Sequence, residues 1–214
     1  MKPSEWMGEG LRILDFDTEN RPLTYLGSDF TTGDITAIAA GFVGHPRKDI
    51  QCWCLGVECQ HGDCKEYHHG VSSEQMLSDF HVMYDEAEMV TGHYLLGYDL
   101  SVVNGAMLEF GLPPLADKLV QDTKVHLKKR KYLSVSQESL GDTLGLKAPK
   151  IQMNQHKWRE ANRLTPEGLA MTKKRVVGDV VQHMALRKRL LELGWLNPPQ
   201  MWSSSGSLEP VYAP

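Results

Sequence analysis

The amino-acid sequence predicts an α/β domain in which a mixed β-sheet, part antiparallel meander and part parallel, is flanked by α-helices. Three observations carry this expectation. Strand-like segments crowd the first quarter of the 214-residue chain, helical periodicity dominates after residue 72, and a further short apolar segment sits between two of those helices. Hydrophobic residues make up 41% of the chain, enough for a sizeable core, and the length suits one compact domain over 1–196 followed by a loosely ordered Pro/Ser-rich tail over 197–214.

The elements follow in order. Residues 11–17 (LRILDFD) read as a strand buried on both faces and ending in acid. Residues 34–43 and 50–57 read as two more strands, the second with period-2 alternation, and the intervening turns make the three a meander. Ser72 and Gln75 have capping-box spacing, and Met76, Phe80, Met83 and Ala87 then recur on one helical face. Met89–His93 is a short strand, and Leu100, Val103 and Met107 mark a helix stopped by Gly111 and Pro113. A short helix is expected near 137–144. A long one starts at Thr165-Pro166 and stops at Gly194.

No apolar run approaches the length of a membrane span, and MKPSEWMGEGLR lacks the apolar core of a secretory signal, so a soluble cytoplasmic protein is expected. The net charge of −4 hides an asymmetry. Residues 1–117 hold 6 Lys/Arg against 19 Asp/Glu, whereas residues 118–175 hold 14 against 5. The basic segment suits a polyanion, and the acidic part suits cations.

Three acidic pieces carry chemistry. Asp15, Asp17 and Glu19 alternate along the first strand, so period 2 puts all three on one face, where a cation relieves their repulsion. Asp99 stands at a strand–helix junction, where it either caps the helix or points over the sheet edge. Asp179 lies among Val176, Val177, Val180 and Val181, where an uncompensated carboxylate is costly; it faces water or meets a cation held with another element. Oxygen-only ligation of this kind suits Mg²⁺ or Mn²⁺.

In order and spacing, FDTEN, GHYLLGYD and VVGDVVQHMAL resemble the three motifs of the DEDD superfamily of 3′–5′ exonucleases, which share the ribonuclease H-like fold. SLGDTLGL resembles a helix that these proteins carry between the second and third motifs, and the match extends over about residues 11–193, similar to exonuclease domains in bacteriophage genomes. The resemblance implies two divalent ions about 3.5–4 Å apart, bridged by Asp17 and completed by Glu19, Asp99 and Asp179, with Asp15 behind them. It implies hydrolysis of nucleic acid from a 3′ end, DNA being favoured over RNA. Two departures stand out. Tyr94 replaces the usual Asn of the second motif. Arg175 and Lys174 occupy the slots where the third motif carries the Tyr or His that handles the attacking water.

An arginine stays protonated and cannot act as that base, so Arg175 is expected to hold substrate or the acidic cluster, with Lys174 beside it. Tyr98, Lys128, Lys129 and Arg130 are expected along a phosphate-binding groove, with Trp158 and Tyr132 as stacking surfaces. His183 is expected to be a partly buried surface residue. Cys52, Cys54, Cys59, His61, Cys64, His68 and His69 form a cluster, but Cys-x-Cys inside a strand is not zinc-knuckle spacing, which argues against zinc. The alternatives are a degenerate nucleic-acid-binding domain of the same fold and a zinc-stabilised interaction module.

Overall fold

The computed structural model describes residues 10–22, 34–56, 70–128, 133–147 and 151–204. Strands β1 (Ile13–Arg21), β2 (Asp34–Phe42) and β3 (Gln51–Cys54) form the expected antiparallel meander. β4 (Met89–Gly92) lies parallel to β1 on its other side. Two strands that the apolar pattern did not mark complete the sheet: β5 (Lys118–Asp122), parallel to β4, and β6 (Gln200–Trp202), antiparallel to β5. The order is β3-β2-β1-β4-β5-β6. β6 comes from the segment read as a loose tail. Pro198 and Pro199 end the preceding run, yet Trp202 is buried in the core, so the chain is anchored to the sheet at least as far as that residue.

Alternation along β1 divides the layers. Leu14 and Phe16 point into a core shared with α1 (Ser73–Asp85) and α2 (Asp99–Glu109), where Met76, Leu77, Phe80, Leu100 and Val103 meet them. The opposite face of the sheet carries α6 (Pro166–Glu192). There Ala37 and Ala39 of β2 and Cys52 and Cys54 of β3 pack against Val176, Val177 and Val180, the small alanines letting the helix approach. A third cluster joins Leu186 and Leu190 of α6 to Leu127 of α3 (Thr123–Leu127) and Leu140 of α4 (Gln137–Thr143). With 27 residues α6 is about 40 Å long, enough to cross the sheet.

Local chemistry sets the helix ends. Ser72 Oγ accepts from Gln75 N at 3.1 Å, the first half of the expected box, while the Gln75 amide donates to Asp79 at 2.7 Å. Thr165 Oγ1 caps α6 by accepting from Gly168 N at 3.1 Å, with Pro166 in the first turn and Gly194 left-handed just past the end. α5 (Gln155–Asn162), capped by Asn154, was not marked by the apolar pattern because its one buried residue is Ala161. It abuts the first turn of α6 so closely that a Cβ at Gly168 would lie 2.2 Å from Glu160 O. That contact brings Trp158 against the middle of α6. Among the described residues, no helix is long and apolar enough to cross a membrane.

Candidate functional site

The site is built where α6 crosses β1. Residues four apart on a helix are separated by about 6 Å, and residues two apart on a strand by about 6.6 Å, so two such stripes keep step. Arg175, Asp179, His183 and Arg187 form the helix stripe; Glu19, Asp17 and Asp15 form the strand stripe, running the opposite way.

At the outer end, Asp17, Glu19 and Asp179 converge, with one carboxylate oxygen from each lying within 4.8 Å of the others. Asp17 is half-buried, Glu19 and Asp179 are buried. Arg175 reaches this group from one turn before Asp179. Its Nε donates to Glu19 Oε1 at 2.5 Å, and an Nη lies 3.6 Å from Asp179 Oδ2. Its other Nη donates to Ile151 O at 2.9 Å, and its guanidinium sits 5.1 Å from the centre of the Trp158 ring. Three clustered carboxylates offer oxygen ligands alone, the donor set that Mg²⁺ and Mn²⁺ prefer, so this group could hold a metal ion.

The inner end is different. Asp15 is wholly buried, and its Oδ2 lies 2.6 Å from His183 Nδ1. Burial pushes the Asp15 carboxyl above the ordinary range, while His183 first and then Arg187 pull it down. His183 is not a surface residue: it is 2% exposed, because it fills the seam beside Asp15. Its Nε2 lies 3.0 Å from Thr123 Oγ1, which lies 2.9 Å from His93 Nδ1; His93 Nε2 meets Val135 O at 2.9 Å. A carbonyl only accepts, so His93 Nε2 donates to Val135 O. Arg187, buried to 2% exposure and with its pKa brought down by burial to about 10, donates from Nε to Gln121 Oε1 at 2.9 Å.

Asp99 is the first residue of α2, and its side chain does not cap that helix. Its Oδ1 instead accepts from Thr18 N at 3.2 Å and Thr18 Oγ1 at 2.7 Å, reaching the residue between Asp17 and Glu19. It is not one of the three carboxylates that converge. Burial, and after it the neighbouring Asp122, pushes the Asp99 carboxyl up to about 6 against the pull of the Thr18 hydrogen bonds. Asp122, a residue the sequence did not single out, ends β5 and is fully buried. It accepts four backbone N–H groups, from Tyr94, Leu96, Lys124 and Val125, and so fixes the loop that carries Asp99. Within that loop Tyr94 is left-handed at φ 86°, a conformation that Asn tolerates better than an aromatic residue. The Lys124 ammonium covers its ring at 3.8 Å.

Of the expected substrate contacts, Tyr98 is exposed beside Asp99, its hydroxyl 3.4 Å from Asn20 Nδ2, and Lys174 and Lys128 are exposed. Lys129, Arg130 and Tyr132 lie outside the described residues, as do Cys59, His61, Cys64, His68 and His69. Cys52 and Cys54 are buried thiols; burial raises their pKa to about 12 and about 11, which disfavours the thiolate a zinc ion needs.

Comparison with known protein families and with curated proteins finds no match. Among solved structures, the chain is similar to the family B DNA polymerase from the hyperthermophilic archaeon Pyrobaculum calidifontis, with a TM-score of 0.62 and 16% sequence identity over 85% of this chain. The match spans 24% of the polymerase chain, so the likeness is to a part of that enzyme. At that identity the likeness is one of fold: an α/β domain with a mixed six-stranded sheet flanked by helices, consistent with the ribonuclease H-like architecture.

Proposed function

We propose that the chain is a metal-dependent 3′–5′ exonuclease of the DEDD type, hydrolysing phosphodiester bonds of nucleic acid. The observation that carries this reading is the convergence of Asp17, Glu19 and Asp179 from β1 and α6, two elements 160 positions apart (179 minus 19). Like charges brought this close repel one another; Arg175 offsets part of that repulsion, and a divalent ion among the three carboxylates would offset more. The structural neighbour is a DNA polymerase, which favours DNA over RNA as substrate.

Asp17, Glu19 and Asp179 would hold Mg²⁺ or Mn²⁺, with Asp99 joining from the adjoining junction. The ions would supply charge against the phosphodiester oxygens and acidify a water for attack. The chain's own groups do the rest. Arg175 is fixed as a cation and orients a phosphate; it takes no proton. Tyr98 presents an exposed ring on which a terminal base can stack. Lys174 and Lys128, with Lys129 and Arg130 in the same basic stretch, attract the backbone.

The pairing of Arg175 with Glu19 favours a second reading, a degenerate binding domain in which arginine has replaced the water-handling residue. One experiment separates them. Oligonucleotides labelled at the 3′ or the 5′ end are incubated with the protein in Mn²⁺ and in EDTA. Stepwise loss from the 3′ end, abolished by EDTA, is expected. Retention of DNA without any cleavage would establish the binding domain instead.

A further inference from the structure

Arg175 lies where two features of the molecule meet. On one side its Nε donates to Glu19 and its Nη2 approaches Asp179, two of the three carboxylates that converge. On the other it forms a wall of a cavity of about 260 Å³, lined also by Ser136, Gln137, Gln152, Trp158 and Glu138, whose carboxylate accepts from the Gln152 amide. The side chain is 14% exposed, so it is set into the site and not draped across it. Three anchors hold it there: Glu19, the Ile151 carbonyl at 2.9 Å, and the Trp158 ring.

We propose that Arg175 is a resident cation of the carboxylate cluster, which occupies its Glu19 end in competition with divalent ions and is drawn into the adjoining cavity by an anionic substrate. This rests on the metal-dependent exonuclease reading. The physics is direct. A guanidinium that already neutralises Glu19 must be displaced, or its repulsion borne, before a divalent ion gains that carboxylate in full. A phosphate offers the same planar fork an alternative partner of equal charge and matching geometry. The cavity gives the fork somewhere to go once it leaves Glu19. Substrate and metal then bind cooperatively, because the first removes the competitor of the second.

The test measures Mn²⁺ binding by electron paramagnetic resonance in wild type, Arg175→Gln, Arg175→Lys and Trp158→Ala, with and without a phosphorothioate oligonucleotide that resists cleavage. Arg175→Gln is expected to bind Mn²⁺ at least about tenfold more tightly than wild type without the oligonucleotide, since one unit of competing charge is gone. Arg175→Lys should stay near wild type. Trp158→Ala, which keeps the arginine but loosens it, should gain a smaller factor, and it serves as the informative variant if Arg175→Gln does not fold. The oligonucleotide should tighten Mn²⁺ binding in wild type and leave Arg175→Gln little changed. Equal Mn²⁺ affinity in wild type, Arg175→Gln and Trp158→Ala would overturn the proposal while leaving the metal site standing. Binding by none of the proteins at millimolar Mn²⁺ would overturn the metal-dependent reading as well.

Discussion

The two ends of the β1–α6 seam are made from the same stripes, yet they solve opposite problems. At the inner end one carboxylate, Asp15, lies against His183, with the charge of Arg187 near it, and the imidazole passes hydrogen bonds on to Thr123 and His93. At the outer end three carboxylates converge and Arg175 pairs with two of them. The inner end sets one buried carboxylate against partners contributed by the fold. The outer end brings three carboxylates together beside an arginine, an arrangement whose mutual repulsion a bound cation would relieve. The seam therefore has an anchor and a mouth, and substitutions are expected to act differently at the two.

The largest effect belongs to the mouth. Asp17→Asn should abolish hydrolysis of labelled DNA in Mn²⁺ while the circular dichroism spectrum stays that of wild type, because it removes one of the three converging carboxylates. Undiminished turnover would break the assignment. At the anchor, His183→Ala should cost about 3–5 kcal/mol in urea melts, since it strands a buried carboxylate. Mn²⁺ should stabilise that variant no more than it stabilises wild type, so the gap between the two should remain. The deficit should shrink toward acid pH, where Asp15 takes a proton; a deficit independent of pH would point to lost packing alone.

A smaller effect concerns the carboxylate beside the outer end, held by Thr18. Asp99 is pushed from the ordinary 3.8 to about 6, so the folded, metal-free protein holds its proton more tightly than the unfolded chain does. The stabilising contribution is full below about pH 4 and is lost as pH rises through about 6. Asp99→Asn keeps an oxygen for Thr18 N and Oγ1, and in metal-free melts it should gain on wild type by up to about 3 kcal/mol between pH 4 and 7. A gain at pH 4 as large as that at pH 7 would contradict the sign. Smallest of all, Cys52 and Cys54 beside the seam should resist iodoacetamide at pH 8 until the protein is unfolded, since their thiols are raised to about 12 and about 11. Rapid alkylation of either in the native state would mean that β3 is not covered by α6 as described.

Much of this was legible in the chain. The meander showed because β1 to β3 are apolar or alternate cleanly, and α6 because Thr165, Pro166 and Gly194 punctuate it. Asp17, Glu19 and Asp179 could be singled out by spacing and resemblance. The partnership of His183 with Asp15 was missed although a signal existed: Arg175, Asp179, His183 and Arg187 recur every four residues on an otherwise Val/Leu-rich helix. One polar stripe on a buried helix and one on a buried strand are best satisfied by each other. β5 was hidden because KLVQD is short and ends in polar residues that are nevertheless buried, and β6 because it follows two prolines and precedes a serine run. Asp122 was overlooked because β5 itself was hidden: two of its four N–H donors come from the helix it caps, and two from a loop nearly thirty residues earlier.

The contrast between anchor and mouth is tested most directly by thermal unfolding with and without Mn²⁺ in wild type, Asp17→Asn and His183→Ala. Mn²⁺ should raise the melting temperature of wild type and of His183→Ala but not that of Asp17→Asn. Without metal, Asp17→Asn should melt close to wild type, because it keeps the shape of the side chain and relieves a like-charge repulsion, and His183→Ala should melt well below both. If metal-free Asp17→Asn fell as far as His183→Ala and Mn²⁺ stabilised all three proteins alike, the outer end would be a structural knot like the inner one, and the seam would have no mouth.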